Sequence, residues 1–150
     1  MKRLIRNSAK GIVIMNDCLL ATKIKDGDDV FYIMPGGGQD VGETLEAAAE
    51  REILEEFGFE VKAKSLEFVV EGVTGERFHR VDLVFLCEFI REVPGSEIKG
   101  DHNQVGFDWL PIESLMDAPL YPSRLRQQII NLHLGRATQT YLGDESMEVS

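Results

Sequence analysis

The chain has 150 residues, 43% of them apolar and 28% charged, a composition typical of one globular domain and not of a disordered segment. Its formal net charge of −10 argues against binding to nucleic-acid polymers or anionic membranes, because like charges repel. No run approaches the roughly 20 apolar residues of a membrane span, and the apolar run after the basic start is too short for a signal peptide, so we expect a cytoplasmic protein.

The first predicted elements are β-strands. Residues 11–15 and 18–24 are apolar runs separated by Asn16-Asp17, a dipeptide that favours a two-residue turn, and together they predict a hairpin. Residues 30–34 form a short aromatic and β-branched strand. It is followed by a Pro-Gly-Gly-Gly loop at residues 35–38, which breaks both strand and helix.

A helix follows this loop. It is predicted over residues 44–57, with Thr44 as its N-cap and Gly58 as its C-cap. Two longer strands are then predicted over residues 61–73 and 77–90, the second with apolar side chains alternating onto one face.

The last third of the chain contains three predicted elements. Residues 93–103 are a polar loop, residues 105–110 a strand and residues 122–134 an amphipathic helix. The segment 136–150 has no periodicity, which predicts a mobile tail. Strands and helices mix without regular βαβ alternation, so we expect an α+β fold, a mixed sheet between helices, in a single domain over residues 1–150. The two cysteines, Cys18 and Cys87, lie in apolar strands and are predicted to be reduced and buried.

Three glutamates share one face of the first predicted helix. Glu52, Glu55 and Glu56, called the helix glutamates below, are spaced i, i+3, i+4 and fall within an arc of about 100°. Arg51 is placed to pair with Glu55, and the opposite side of the helix, with Leu54 among its residues, is predicted to face the core. An isolated acidic run of this kind is usually a solvated surface. As a site, its oxygen ligands suit Mg²⁺ or Mn²⁺, and the sequence has no Cys/His set with zinc spacing.

The glycine run beside this helix favours a role in ligand binding. Gly36, Gly37 and Gly38 allow the backbone to approach a ligand closely, with amides and carbonyls facing it. Glu43, at the junction of loop and helix, is a candidate for a further metal ligand or for a brace of the loop. A glycine loop next to an acidic helix is suited to hold a pyrophosphate.

The stretch from Gly37 to Phe59 resembles the Nudix box, the signature of the MutT-like Nudix hydrolases. The box is a glycine, five residues, Glu, seven residues, Arg-Glu, an apolar residue, any residue, Glu-Glu, any residue, Gly and an apolar residue. Every specified position is filled, by Gly37, Glu43, Arg51, Glu52, Ile53, Glu55, Glu56, Gly58 and Phe59. The box spans about a seventh of the chain, and the surrounding strand pattern is also similar to that of a Nudix domain.

This resemblance implies a Nudix-type α/β/α sandwich with a mixed β-sheet and a loop-helix-loop catalytic segment. It also implies that the helix glutamates bind the metal, with a backbone carbonyl near Gly37, and that Arg51 holds them in place by ion pairing. Glu43 is then structural or an auxiliary ligand. The implied reaction is the Mg²⁺-dependent attack of an activated water on a phosphorus of a nucleoside diphosphate linked to another group.

The general base is open at this stage. Glu55 and Glu56 are the first candidates, while some members of the family use a glutamate in a later loop. Glu97 and Asp101 lie in the matching loop, although the segment 102–106, where relatives often have a carboxylate, contains none.

The substrate is also open. The candidates are a nucleoside triphosphate, a nucleotide sugar and an ADP-ribose-like molecule. The proline and the tyrosine that often follow the box in ADP-ribose and diadenosine-polyphosphate enzymes are missing at the expected distance, and neither absence decides among the candidates. Besides Gly36, Gly38 and Glu43, the residues predicted to contact the substrate are His79 and Arg80, for which ordinary strand-end polarity is the alternative.

Two other functions compete with hydrolysis. One is a non-catalytic Nudix domain that senses nucleotides, although such domains usually lose box glutamates and this chain keeps them all. The other is an isoprenyl-diphosphate isomerase, which needs a reactive cysteine, for which Cys87 in an apolar strand is a poor candidate. A homodimer, in which the first ten residues form a strand that pairs with a partner subunit, is a further expectation.

Overall fold

The structure, a computed structural model, describes residues 3–74, 77–95, 98 and 103–145. The elements in this part of the chain are β1 (Ile5–Met15), β2 (Cys18–Asp26), β3 (Asp29–Ile33), β4 (Gly36–Gly38), α1 (Leu45–Phe57), β5 (Phe59–Gly72), β6 (His79–Glu92), β7 (Gln104–Pro111), a 3-10 segment (Ile112–Asp117), β8 (Leu120–Tyr121), α2 (Arg124–His133) and β9 (Tyr141–Asp144).

The strands form one curled, mixed sheet. Its order is β8-β3-β2-β1-β6-β5-β9, and β4 pairs with β1 while β7 pairs with β2. The pair β1–β6 is parallel and the pair β5–β6 is antiparallel. The sheet is open between β2 and β4, because both lie on the same side of β1, at different ends of that strand.

A helix covers each face of the sheet, so that two separate cores form. Buried side chains of α1, Ala48, Ala49 and Ile53 among them, pack on Ala9 and Val13 of β1. On the other face, Leu125 and Ile129 of α2 pack in the second core. The predicted α+β class, with a Nudix-type α/β/α sandwich, is confirmed.

The predicted turns and caps explain where these elements begin and end. Asn16 and Asp17 both have positive φ, 52° and 58°, as the two central residues of a type I′ hairpin turn require. Thr44 caps α1, since its side chain accepts a hydrogen bond from Ala47 N–H at 3.1 Å. Gly58 ends the helix with φ of 71°, a conformation that glycine adopts without strain.

Loss of the Thr44 cap gives a first testable prediction. Thr44→Ala leaves the Ala47 N–H without its side-chain acceptor, so we expect the free energy of unfolding to fall by about 1 kcal/mol. Thr44→Ser, which keeps the hydroxyl, should stay within about 0.5 kcal/mol of the parent in the same urea titration. Equal losses in the two variants would show that the cap does not stabilise the helix.

Strand β1 is longer than predicted, and it pairs within its own chain. Residues Ile5–Val13 run parallel to β6, and Ser8, Ala9 and Lys10 pair with β4 on the other side. The first residues therefore form a strand, as expected, and its partners within the chain are β6 and β4.

The glycine run was predicted to be a loop and instead forms the short strand β4. Gly36 fits against β1 only because it has no side chain, since a Cβ there would lie 2.1 Å from the carbonyl oxygen of Ala9. The pairing brings Gly36–Gly38 alongside β1 and under α1, which places the glycines next to the helix glutamates.

The prediction of a mobile tail is wrong for part of the segment 136–150. Tyr141–Asp144 form β9, which pairs in parallel with β5, and Leu142 is buried in the α2 core. The four-residue strand was missed because a parallel pairing to a distant segment leaves no local periodicity to detect.

Candidate active site

The helix glutamates are in three different environments. Glu56 is only 9% exposed and lies between α1 and the sheet. Its Oε1 accepts a hydrogen bond from Gly36 N–H at 3.3 Å, and its Oε2 accepts one from Thr22 Oγ1 at 3.2 Å. Burial raises the pKa of Glu56 to about 7, although the positive charge of Lys10 opposes this shift.

The helix is therefore rotated from the predicted orientation. Leu54, expected in the core, is 38% exposed, while Glu56 occupies the buried stripe next to Ile53 and Phe57. The opening in the sheet between β2 and β4 explains the difference, because it offers Glu56 two hydrogen-bond donors in place of apolar neighbours.

Glu52 lies directly against the glycine strand. A Cβ on Gly37 would be 2.6 Å from Cδ of Glu52, so a side chain at position 37 would move this carboxylate from its place. Burial raises the pKa of Glu52, and the charges of Arg51 and Lys10 oppose the shift while that of Glu55 adds to it. Two neighbouring carboxylates thus lie in a region that disfavours their negative charge.

Arg51 holds the box together. Its guanidinium donates to both oxygens of Glu43, Nε at 3.0 Å and Nη2 at 2.6 Å, and Nη2 also donates to the carbonyl oxygen of Gly38 at 3.0 Å. Nη1 donates to Glu52 at 3.1 Å and to Glu55 at 3.3 Å, which is the predicted i, i+4 pair. One side chain therefore joins the loop to two of the helix glutamates.

Glu43 acts as a brace in this arrangement. Besides its two bonds to Arg51, its Oε1 accepts a hydrogen bond from Asp40 N–H at 2.9 Å. The bond to Arg51 lowers the pKa of Glu43 to about 2. With both oxygens held this way, the structure places Glu43 where it fixes the loop.

Sequence reasoning missed two residues at this site. Thr22, on β2, bonds Glu56 across 34 positions of sequence. Lys10, on β1, is close enough to Glu52 and Glu56 for its charge to lower both pKa values. Neither residue has a local signal, because each reaches the site only through the pairing of its strand.

His79 and Arg80, predicted to contact substrate, are held by partners in β5 and β6. His79 Nε2 lies 2.9 Å from Oε1 of Glu71. Arg80 is buried and donates from Nε to Asp82 Oδ2 at 2.8 Å, in a space that Gly72 leaves open by having no side chain. The structure thus does not bring these two residues into the glutamate cluster. The candidates Glu97 and Asp101 lie outside the described residues.

Comparisons with known proteins show the family to which this fold belongs. A family model described as NUDIX domain matches residues 5–130. The chain belongs to the Nudix family. The predicted enzyme class, a Nudix hydrolase, is confirmed at the level of the family. A comparison with curated protein sequences found no match.

Solved structures of Nudix proteins share the fold. A Nudix hydrolase from Nitrosomonas europaea superposes with a TM-score of 0.71 at 19% identity, covering 91% of this chain and 93% of that one. A MutT protein from Methanosarcina mazei Go1 superposes with a TM-score of 0.70 at 15% identity, covering 91% of this chain and 99% of that one. An ADP-ribose pyrophosphatase from Streptococcus suis superposes with a TM-score of 0.62 at 20% identity, covering 93% of this chain and 98% of that one. At these identities the likeness concerns the fold.

Nudix enzymes generally use a divalent metal, and the residues present suit one. The donors are carboxylate oxygens, Glu52 and Glu56 lie where burial disfavours their charge, and Gly37 has no side chain that would displace the Glu52 carboxylate. In the side-chain positions of the described residues, no three Asp, Glu, His or Cys groups converge on one point. Arg51 Nη1 lies between Glu52 and Glu55 instead.

None of the helices in the described ranges is long and apolar enough to cross a membrane.

The contact between Gly37 and Glu52 gives a second prediction. Gly37→Ala forces the Glu52 carboxylate away from the glycine strand. We therefore expect the rate of hydrolysis to fall by about a hundredfold, the effect of misplacing a reacting group by roughly 1 Å. Gly38→Ala places its Cβ 3.6 Å from Nη2 of Arg6, which is an ordinary van der Waals contact, so its rate of hydrolysis should fall far less. Similar losses in steady-state assays of the two variants would show that the Glu52 contact is not what matters.

Proposed function

We propose that this Nudix protein hydrolyses a phosphoanhydride bond in a nucleotide-derived small molecule, with Mg²⁺ or Mn²⁺ as cofactor. One observation carries this proposal. The helix glutamates stand beside the glycine strand and are linked to it, Glu56 through the Gly36 amide and Glu52 and Glu55 through Arg51. A sensing domain has no need for three such groups at a phosphate-sized loop.

The cation would be held by Glu52, Glu55 and Glu56, together with the backbone carbonyl of Gly37. A divalent cation supplies charge neutralisation of the diphosphate and acidifies a water molecule. The chain itself orients these groups: Arg51 fixes the loop and the helix as one unit, and Thr22 and the Gly36 amide fix Glu56. Such positioning is most of what phosphoryl transfer requires from a protein.

The two candidate bases have different surroundings. Glu56 is buried with both oxygens bonded, which suits a fixed ligand. The side chain of Glu55 is 38% exposed and has one oxygen on Arg51, which leaves the other free to take a proton from water. We therefore assign proton acceptance to Glu55 and ligand binding to Glu56.

The alternative of an isoprenyl-diphosphate isomerase is not supported. Its chemistry needs a reactive thiol, whereas burial raises the pKa of Cys87 to about 12. Cys18, also a free thiol, lies at the start of β2 beside the hairpin turn.

The proposed substrate is a small molecule and not a polymer or a membrane. The net charge of −10 supports this, since only a substrate reached through a cation or a few local basic groups would bind a surface so acidic. A cytoplasmic location, a single domain over residues 1–150 and a homodimer remain predictions.

A substrate panel tests the proposal. The purified protein is incubated with nucleoside triphosphates, nucleotide sugars, ADP-ribose and diadenosine polyphosphates, with Mg²⁺, with Mn²⁺ or with EDTA, and phosphate is measured after a coupled phosphatase. We expect release from at least one compound, lost in EDTA. Glu55→Gln should abolish it while Mg²⁺ still binds, more weakly, through Glu52 and Glu56, and Glu88→Gln, on the exposed side of β6, serves as the matched control. Inactivity across the panel with retained nucleotide binding would favour a sensor.

A further inference from the structure

Two basic side chains of β1 flank the glycine strand. Lys10 stands opposite Gly36 in the β1–β4 register, and Arg6 lies four residues earlier on the same strand. Because side chains alternate along a strand, both project from the face opposite to Ala9, which is buried against α1. Nη2 of Arg6 is 3.6 Å from the position a Cβ would have on Gly38, so the guanidinium lies at the end of the glycine strand.

Neither basic group has an ion-pair partner in the part of the chain that the structure describes. Within the described residues, Lys10 and Arg6 form no ion pair and no side-chain hydrogen bond, and Arg6 instead lies over the ring of Phe78, 5.1 Å from its centroid. Some other lysines of the sheet do form ion pairs, as Lys23 does with Asp108 and Lys64 with Glu88. In a chain of net charge −10, two basic side chains without an ion pair beside the glycine strand are a local concentration of positive charge.

We propose that Lys10 and Arg6 bind phosphate oxygens of the substrate and select for substrates with phosphate charge beyond the diphosphate at the glutamates. This inference rests on the proposed function and narrows its substrate class. A terminal phosphate carries about 1.5 to 2 negative charges near pH 7, while a phosphate esterified on both sides carries fewer. Nucleoside triphosphates therefore use both cations, whereas a nucleotide sugar, whose diphosphate ends in a neutral group, gains less from them.

The position of Lys10 also explains how the two sets of charges coexist. Its ammonium lies near Glu52 and Glu56 and lowers their pKa values against the larger effect of burial. A phosphate bound at this edge would thus lie near a basic side chain of the sheet and near the glutamates that would hold the metal cation. Arg6, a planar guanidinium resting on an aromatic ring, presents its donors in an arrangement suited to phosphate.

A kinetic experiment separates this role from a structural one. Lys10→Met, Arg6→Met and the control Lys64→Met are compared on a nucleoside triphosphate and on a nucleotide sugar with the same base, in Mg²⁺. For the triphosphate, we expect Lys10→Met and Arg6→Met to lower kcat/KM by about ten- to a hundredfold each, mainly through KM. The nucleotide sugar should lose at least about threefold less than the triphosphate in each of these two variants, and Lys64→Met should match the parent on both. Equal losses on the two substrates would overturn the proposal.

Binding of inorganic tripolyphosphate tests the same site without catalysis. Isothermal titration of the metal-free protein should show binding that weakens about tenfold or more in Lys10→Met and Arg6→Met and is unchanged in Lys64→Met. Binding by the parent no tighter than by Lys10→Met would overturn the inference. If the parent binds tripolyphosphate as expected but hydrolyses nothing, the proposed function fails while the phosphate site stands.

Discussion

Glu56→Gln is expected to reduce metal-dependent hydrolysis by about two to four orders of magnitude. The amide has nearly the size of the carboxylate, but it carries no charge for a cation. It also turns one of the two bonded oxygens into a donor facing either the Gly36 amide or the Thr22 hydroxyl. The measurement is the initial rate at saturating Mg²⁺, together with the Mg²⁺ concentration that gives half the maximal rate.

The control for this variant is Thr22→Val, which removes only the hydrogen bond to Oε2 of Glu56. It leaves the charge in place, and we expect a loss of about ten- to a hundredfold, the range found when the outer partner of a metal ligand is removed. Magnesium-dependent hydrolysis by Glu56→Gln at close to the parent rate would show that the assignment of Glu56 is wrong.

Asp82→Ala is expected to cost about 3 to 5 kcal/mol of stability. Asp82 is 3% exposed and Arg80 is 8% exposed, so the substitution removes the Oδ2 acceptor from a guanidinium that water barely reaches. For a domain of this size, such a loss lowers the melting temperature by roughly 10 °C. Thermal unfolding followed by circular dichroism measures it.

A surface ion pair provides the comparison. Glu88→Ala breaks the 3.5 Å contact with Lys64. Because the side chains of Glu88 and Lys64 are both more than half exposed, the free energy of unfolding should fall by less than about 1 kcal/mol. A melting temperature of Asp82→Ala within about 2 °C of the parent would mean that the pair with Arg80 does not stabilise this part of the sheet.

Features set by neighbouring residues were predictable from the sequence. Helix α1 begins after Thr44 and ends before Gly58, as their capping chemistry indicated. The hairpin turns at Asn16-Asp17, where two positive φ values are needed. The pairing of Arg51 with Glu55 follows from helix spacing alone.

Features that depend on strand pairing were not predictable. The burial of Glu56 depends on Thr22 and on the Gly36 amide, which meet it only because the sheet opens between β2 and β4. The composition of the glycine run predicts a loop that breaks strand and helix. The run forms a strand because its backbone pairs with β1. Lys10 likewise gains its position from a register that no local pattern specifies.

The candidate site was predictable to the extent that the Nudix box is a local sequence pattern. The spacing identified the helix glutamates, Arg51 and Gly37, and the structure shows the physical reason for two of these positions. Gly37 makes room for Glu52, and Arg51 ties the loop to the helix. His79 and Arg80, chosen by their place at a strand end, are paired with Glu71 and Asp82 instead.

The most direct test of this account is phosphate release from the panel of nucleoside-diphosphate derivatives by the parent protein, with Mg²⁺ and with EDTA, alongside Glu56→Gln. We expect at least one compound to be hydrolysed in Mg²⁺, no release in EDTA, and a loss of at least about a hundredfold in Glu56→Gln. Hydrolysis that persists in EDTA, or that Glu56→Gln carries out at the parent rate, would contradict it.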